Sequence, residues 1–157
     1  RFADTLAAEN IIAVSPEKFA GFMLCVFYAE SGLQTNAPES YDDAGSQGLF
    51  QVTAKTRRLL GIPDNINAAT FSQQLEYFKR YLVASKQGNK IQQVYDLHVL
   101  NFSPYKVGKD FICKAKGPLV WLDLNSDGDV TANDMRIFIS KRCKENPYVW
   151  NVFQTLQ

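Results

Sequence analysis

The chain has 157 residues, of which 46% are hydrophobic and 13% aromatic, and its 17 basic side chains nearly balance 16 acidic ones. This size and composition predict a folded domain and exclude disordered, collagen-like and coiled-coil chains. The even charge argues against nucleic-acid binding. No apolar run is long enough to cross a membrane, so we expect no membrane-spanning segment.

In chain order, the sequence predicts a mainly α fold. A first helix is predicted over 4–14, and a second begins at the cap Ser15 with Pro16 in its first turn and ends at Gly32. A polar loop or short hairpin follows over 33–48. Later helices are predicted over 53–60, from Phe71 to near Gly88, over 90–102 and over 132–144, followed by a short aromatic tail.

The histidine and cysteine content limits the possible chemistry. One histidine, His98, and three cysteines without a C-x-x-C pair cannot form a usual zinc site. Ser46 lacks the first glycine of a nucleophile elbow, whereas a thiol dyad of Cys25 with His98 stays open. Cys113 and Cys143 could pair in an oxidising compartment, which would leave Cys25 free.

Glu30 extends an apolar stripe on the second predicted helix. The stripe recurs at steps of three and four residues and consists of Phe19, Phe22, Met23, Val26 and Phe27. The eleven residues from Phe19 to Glu30 turn about 1100°, within about 20° of three full turns. Glu30 therefore continues this face, in a last turn where the helix dipole disfavours negative charge. Both effects favour the protonated carboxyl, the form that a general acid needs.

Two short blocks carry a family resemblance. Glu30-Ser31-Gly32 is followed, after a polar loop, by Gly48-Leu49-Phe50-Gln51. Over roughly 15–105 the chain resembles the lysozyme-like superfamily of goose-type lysozymes and lytic transglycosylases. The resemblance implies a lysozyme-like α+β fold and cleavage of the β-1,4 bond between N-acetylmuramic acid and N-acetylglucosamine in peptidoglycan. Glu30 would protonate the glycosidic oxygen. The expected substrate-binding residues include Ser31, Gly48, Phe50 and Gln51.

Further residues are expected to line the substrate groove because of their positions in the sequence. His98 and Asn101 lie three residues apart on one helix face and could both face the groove, although a histidine inside the core is the alternative. The family's later Ala-Tyr-Asn-x-Gly block is only partly matched, through Asn101. Tyr41 and Phe50, close to the two blocks, are candidates for stacking on sugar rings.

The loop between the blocks offers a second catalytic carboxylate, which would be Glu39, Asp42 or Asp43. An inverting hydrolase needs such a base about 6.5–9.5 Å from the acid. A lytic transglycosylase needs none and releases 1,6-anhydro products. The loop favours a hydrolase, with the transglycosylase and a non-catalytic, calcium-dependent glycan-binding module as alternatives.

A second acidic loop has the spacing of an EF-hand calcium loop. Glycine at position six, Gly128, permits the sharp bend that such a loop requires. The expected ligands of one structural Ca²⁺ are Asp123, Asn125, Asp127, Asp129 (through its carbonyl) and Asp134. The incomplete entering helix predicts a single loop. We therefore expect a catalytic core over 1–110 and a C-terminal calcium-loop segment over 111–157 packed on it.

The expected setting follows from the resemblance and from the start of the chain. Because the sequence begins with Arg1 and not with Met, we expect a mature form or an excised domain. We expect a monomer that is secreted or delivered to the periplasm or cell wall, for instance within a phage or secretion-system protein. Its expected partners are peptidoglycan glycan strands, with an immunity or inhibitor protein as a further possibility.

Overall fold

The fold of the described chain, residues 1–38 and 44–157 of a computed structural model, is mainly helical. Its α-helices are α1 (Phe2–Ala8), α2 (Pro16–Ser31), α3 (Ala54–Leu60), α4 (Phe71–Ser85), α5 (Val94–Phe102), α6 (Ala132–Cys143) and α7 (Pro147–Thr155). Two short strands, β1 (Phe111–Lys114) and β2 (Asp129–Thr131), pair antiparallel. The prediction of a mainly α fold is confirmed.

Local capping chemistry sets the ends of several helices where the sequence predicts them. Ser15 Oγ accepts a hydrogen bond from Lys18 N at 3.3 Å, and α2 ends at Gly32 with φ of 63°. Thr70 and Gln73 form the reciprocal capping box that starts α4. These ends need only neighbouring residues, which explains why they are predictable.

Other helix limits differ from the predictions. The first helix ends at Ala8, and Asn10 adopts a left-handed φ of 56°, so the prediction of a helix over 4–14 is wrong in its second half. Lys86, with φ of 55°, ends α4 before Gly88. The aromatic tail contains α7, whose start is capped by Asn146.

A continuous hydrophobic core joins the N-terminal and C-terminal parts of the chain, and α2 lies at its centre. This helix packs against α1, α5, α6 and α7. All five apolar residues of its predicted stripe are buried. Among the described residues, no helix is both long and apolar enough to cross a membrane.

The C-terminal segment packs directly on the helices that carry the candidate site. Helix α6 contacts both α2 and α5. The three cysteines are free, and Cys143 Sγ lies 4.0 Å from the carbonyl oxygen of Cys25 in the buried contact between α2 and α6. The structure therefore places Cys143 against Cys25, whereas the sequence had suggested Cys113 as its partner.

Candidate active site

The centre of the candidate site is a carboxylate–imidazole pair between Glu30 and His98. Glu30 lies in the last turn of α2, where the buried stripe reaches the surface, and its side chain is 18% exposed. Its Oε1 lies 2.9 Å from Nε2 of His98, which projects from α5 and is 7% exposed. A side chain on the apolar face of α2 is thus held by a polar partner from a different helix.

The surroundings of His98 restrict how the pair holds its proton. The imidazole stacks on Phe138 of α6, with ring centroids 5.0 Å apart and planes 12° apart. Its buried Nδ1 has no hydrogen-bond partner within residues 1–38 and 44–157. A proton on Nδ1 would therefore be a buried donor without an acceptor. This arrangement favours the tautomer with the proton on Nε2, which donates it to Oε1 of Glu30.

Tyr81 of α4 adds a buried phenol beside the pair. Burial, and next the negative charge of Glu30, raise the pKa of Tyr81. Its hydroxyl donates a hydrogen bond to the Leu100 carbonyl at 2.6 Å, so it stays a neutral donor.

The loop around Gly48–Gln51 lies against the end of α2 because polar side chains hold its backbone. Ser31 Oγ lies 2.8 Å from the Leu49 carbonyl oxygen and 2.9 Å from that of Phe27. Asn101 Nδ2 donates to the Phe50 carbonyl at 2.6 Å. The two sequence blocks are therefore joined directly by Ser31, and α5 is joined to the second block by Asn101.

The loop itself is a tight turn closed by its own residues. Gln51 has a left-handed φ of 50°, and its Nε2 donates to the Gly48 carbonyl at 3.0 Å. A backbone bridge pairs Gln47 with Val52 across the turn. Gly48 has φ of 78°, and a Cβ placed there would lie 2.6 Å from Oε1 of Gln74. Only glycine fits this position without displacing the neighbouring amide.

Gln74 holds the same loop from α4, and sequence analysis did not identify it. Its side chain is fully buried, and its Oε1 accepts a hydrogen bond from Leu49 N at 2.7 Å. Its Nε2 lies 2.7 Å from the Thr35 carbonyl oxygen and 3.1 Å from that of Ile66. The sequence signal that could have revealed it is its position on the apolar face of α4, four residues before Phe78 and seven before Tyr81.

Arg57 is a second buried anchor that sequence analysis missed. Its side chain projects from α3, and its Nη1 lies 2.7 Å from the carbonyl oxygens of both Gly45 and Val52. The residue is almost completely buried. The guanidinium thus holds the backbone on both sides of the turn, a role that no local sequence pattern predicts.

Phe50 does not present its ring to a groove. The ring is 1% exposed and packs among Phe27, Phe78 and Tyr81, with centroids 5.2–6.3 Å apart. The expected stacking of Phe50 on a sugar is therefore wrong, because the ring is needed to fill the core between α2 and α4.

The remaining predicted loop residues lie outside the described residues. These are Glu39, Tyr41, Asp42 and Asp43. Glu30, Ser31, His98, Asn101 and the Gly48–Gln51 turn are brought together; the second carboxylate and the Tyr41 stacking role stay predictions.

The acidic loop over 123–134 folds as a turn organised by its own side chains. Asp123 accepts hydrogen bonds from Asp127 N at 3.2 Å and from Gly128 N at 2.9 Å. Asn125 Nδ2 donates to Asp127 Oδ2 at 2.8 Å. Asp129 forms an ion pair with Lys114 across the strand pair. The oxygens of Asp123 are therefore directed at the backbone of the turn, and the carboxylate of Asp129 is directed at Lys114.

Asp134 is buried and caps the start of α6. Its Oδ1 accepts from Leu124 N at 3.0 Å, and its Oδ2 accepts from Thr131 N at 2.9 Å and Thr131 Oγ1 at 2.6 Å. Burial alone would raise the pKa of Asp134, but these hydrogen bonds outweigh it and lower the pKa. The carboxylate is thus stabilised as an anion by the protein itself.

The donor set matches calcium in chemistry, since all five predicted ligands supply hard oxygen atoms. Across the described ranges, however, no three side chains of His, Cys, Asp or Glu are grouped closely enough to hold a metal ion. Hydrogen bonds within the turn and the cap already engage side-chain oxygens of Asp123, Asn125, Asp127 and Asp134. Calcium binding therefore stays a prediction.

Comparisons with family models, curated proteins and solved structures give no significant match. The lysozyme-like resemblance therefore stays an expectation, and only the residues and geometry of this chain bear on its function.

Proposed function

We propose that this protein is a peptidoglycan-degrading glycosidase of the lysozyme (muramidase) type. In this proposal Glu30 protonates the oxygen of the β-1,4 bond between N-acetylmuramic acid and N-acetylglucosamine. The observation that carries the proposal is the 2.9 Å contact of the half-buried Glu30 carboxylate with His98, beside a turn fixed to the same helix by Ser31.

The pair suits general acid catalysis for a physical reason. In this proposal the His98 imidazole orients Glu30 by donating its Nε2–H to Oε1, and Glu30 carries the proton that it transfers on its other oxygen, Oε2. The side chain of Glu30 is 18% exposed, so it reaches solvent although most of it is buried. An acid in such a place can be positioned against a leaving oxygen while bulk water has limited access.

The reaction type depends on the second carboxylate. We propose hydrolysis, with a base supplied by Glu39, Asp42 or Asp43, because this loop connects α2 with the Gly48–Gln51 turn. Without such a base, the 6-hydroxyl of the sugar itself would attack and 1,6-anhydro ends would form. Product masses separate these two outcomes.

The rest of the proposal concerns the setting. The acidic loop over 123–134 would take one structural Ca²⁺, which in our proposal fastens the C-terminal segment. The protein would act as a monomer after secretion or delivery to the periplasm or cell wall. An immunity or inhibitor protein would be its macromolecular partner.

The proposal is tested with purified peptidoglycan, wild-type protein and Glu30→Gln. We expect wild-type protein to reduce turbidity and Glu30→Gln to lose at least about a hundredfold in rate, since general acid catalysis contributes about 10²–10⁴. Glu76→Gln is the matched control, because Glu76 is exposed on α4. It should keep the wild-type rate.

The products are then analysed by mass spectrometry. Reducing muramic acid ends identify a hydrolase, and anhydro ends identify a lytic transglycosylase. Equal lysis by wild-type and Glu30→Gln protein would show that Glu30 is not the acid. Glycan binding without any bond cleavage would favour the non-catalytic module.

A further inference from the structure

Trp121 is an exposed indole in the segment that leads into the acidic loop. It lies in the 3₁₀ turn Gly117–Leu122 and is 58% exposed. The next residue, Leu122, is buried in the core, and Asp123 N donates to the Val120 carbonyl at 3.2 Å. The backbone on both sides is therefore anchored, which directs the indole outward. More than half of the residue is accessible, so much of the indole surface is available to a ligand.

A chain of ring contacts connects Trp121 to the Glu30–His98 pair. The indole meets Phe138 edge to face, with centroids 5.6 Å apart and planes 64° apart. Phe138 stacks on His98 at 5.0 Å, and His98 contacts Glu30. The two centroid distances place the indole within about 11 Å of the imidazole. Trp121 is thus linked to the proposed acid through Phe138 and His98, although it is far from Glu30 in sequence.

Helix α6 holds this arrangement together. Asp134 and Phe138 are one helical turn apart and so lie on one face of α6. Asp134 accepts from Leu124 N, three residues after Trp121, while Phe138 contacts the indole itself. The indole is therefore preorganised relative to His98 from two directions.

We propose that Trp121 is a sugar-stacking platform that binds an N-acetylhexosamine ring of the glycan strand held at Glu30. The inference rests on the proposed function and adds a specificity residue from the C-terminal segment, outside the region over 15–105. An indole offers an apolar face to the C–H face of a pyranose and an N–H donor to its polar groups. The segment over 111–157 then helps to form the substrate groove.

The first test uses kinetics on soluble peptidoglycan fragments. We expect Trp121→Ala to raise KM about tenfold with kcat nearly unchanged, because Glu30 and His98 remain in place. Trp121→Phe should restore most of the affinity. Tyr148→Ala is the control, since Tyr148 is an exposed aromatic residue on α7, and it should behave as wild type.

The second test measures glycan binding through the fluorescence emission of Trp121 and leaves Trp121 unchanged. Trp150 is the other tryptophan, so Trp150→Phe leaves Trp121 as the only indole. In a Glu30→Gln background, addition of an N-acetylglucosamine tetramer should shift the emission of Trp121 to shorter wavelength. This measurement stays informative if Trp121→Ala fails to fold.

The outcomes separate this inference from the proposed function. If wild-type protein cleaves peptidoglycan while the Trp121→Ala KM and the Trp121 emission do not change, the platform is disproved and the glycosidase stands. If wild-type protein neither binds nor cleaves glycan, both fail. An emission that changes with protein concentration instead of glycan would assign Trp121 to self-association and overturn the platform.

Discussion

Replacing Gln74 with leucine tests whether a single buried amide holds the Gly48–Gln51 turn in place. The substitution keeps a side chain of similar size but removes the acceptor for Leu49 N and the donor for the carbonyls of Thr35 and Ile66. An unsatisfied buried donor or acceptor costs about 1–3 kcal/mol. Because an N–H and at least one carbonyl lose their partner, we expect the free energy of unfolding to fall by about 2–5 kcal/mol.

The expected loss is large enough for simple assays. In a domain of this size each kcal/mol lowers Tm by about 2–4 °C, so Tm should fall by roughly 4–20 °C. Urea unfolding at 25 °C gives the free energy directly, and Gln154→Leu is the control because Gln154 is exposed on α7. That control should change stability by less than about 0.5 kcal/mol. A loss under about 1 kcal/mol for Gln74→Leu, with an unchanged denaturant slope, would refute the reasoning.

Three further predictions follow from single contacts. His98→Phe should lower kcat on peptidoglycan about 10–100-fold with a small change in KM, because it leaves Glu30 without its orienting partner. His98→Gln should recover part of the rate. Equal rates for wild type and both variants would contradict this role of His98. After refolding in a glutathione redox buffer, peptide mapping should find a disulfide between Cys25 and Cys143. This disulfide should raise the free energy of unfolding by about 2–4 kcal/mol, and Cys143→Ser should abolish the gain. A disulfide between Cys143 and Cys113 would contradict the prediction. Folding lowers the pKa of Asp134, so its negative charge stabilises the protein above about pH 4. This stabilisation is lost as the pH falls through the pKa of Asp134 in the folded protein. The Tm difference between wild type and Asp134→Asn should therefore shrink from pH 7 to pH 3. A difference that does not depend on pH would contradict the assigned cap.

The features that the sequence alone determined depend on neighbouring residues. The caps Ser15 and Thr70 and the terminator Gly32 need only backbone groups within a few positions, so the local sequence is sufficient to place them. The spacing of the apolar stripe on α2 likewise set which face is buried and put Glu30 on that face. Helical periodicity and local hydrogen bonding act over short distances along the chain.

Tertiary structure decided what those residues contact. That His98 is the partner of Glu30 depends on how α2 and α5 pack, and no spacing in the sequence encodes that distance. The same is true of Gln74, whose amide meets a loop 25 residues away in sequence, and of Cys143, which lies against Cys25. Phe50 lies in the core because its ring fills the space between α2 and α4. Pairings across large sequence separations follow from the packing of the whole chain, which a periodic pattern does not contain.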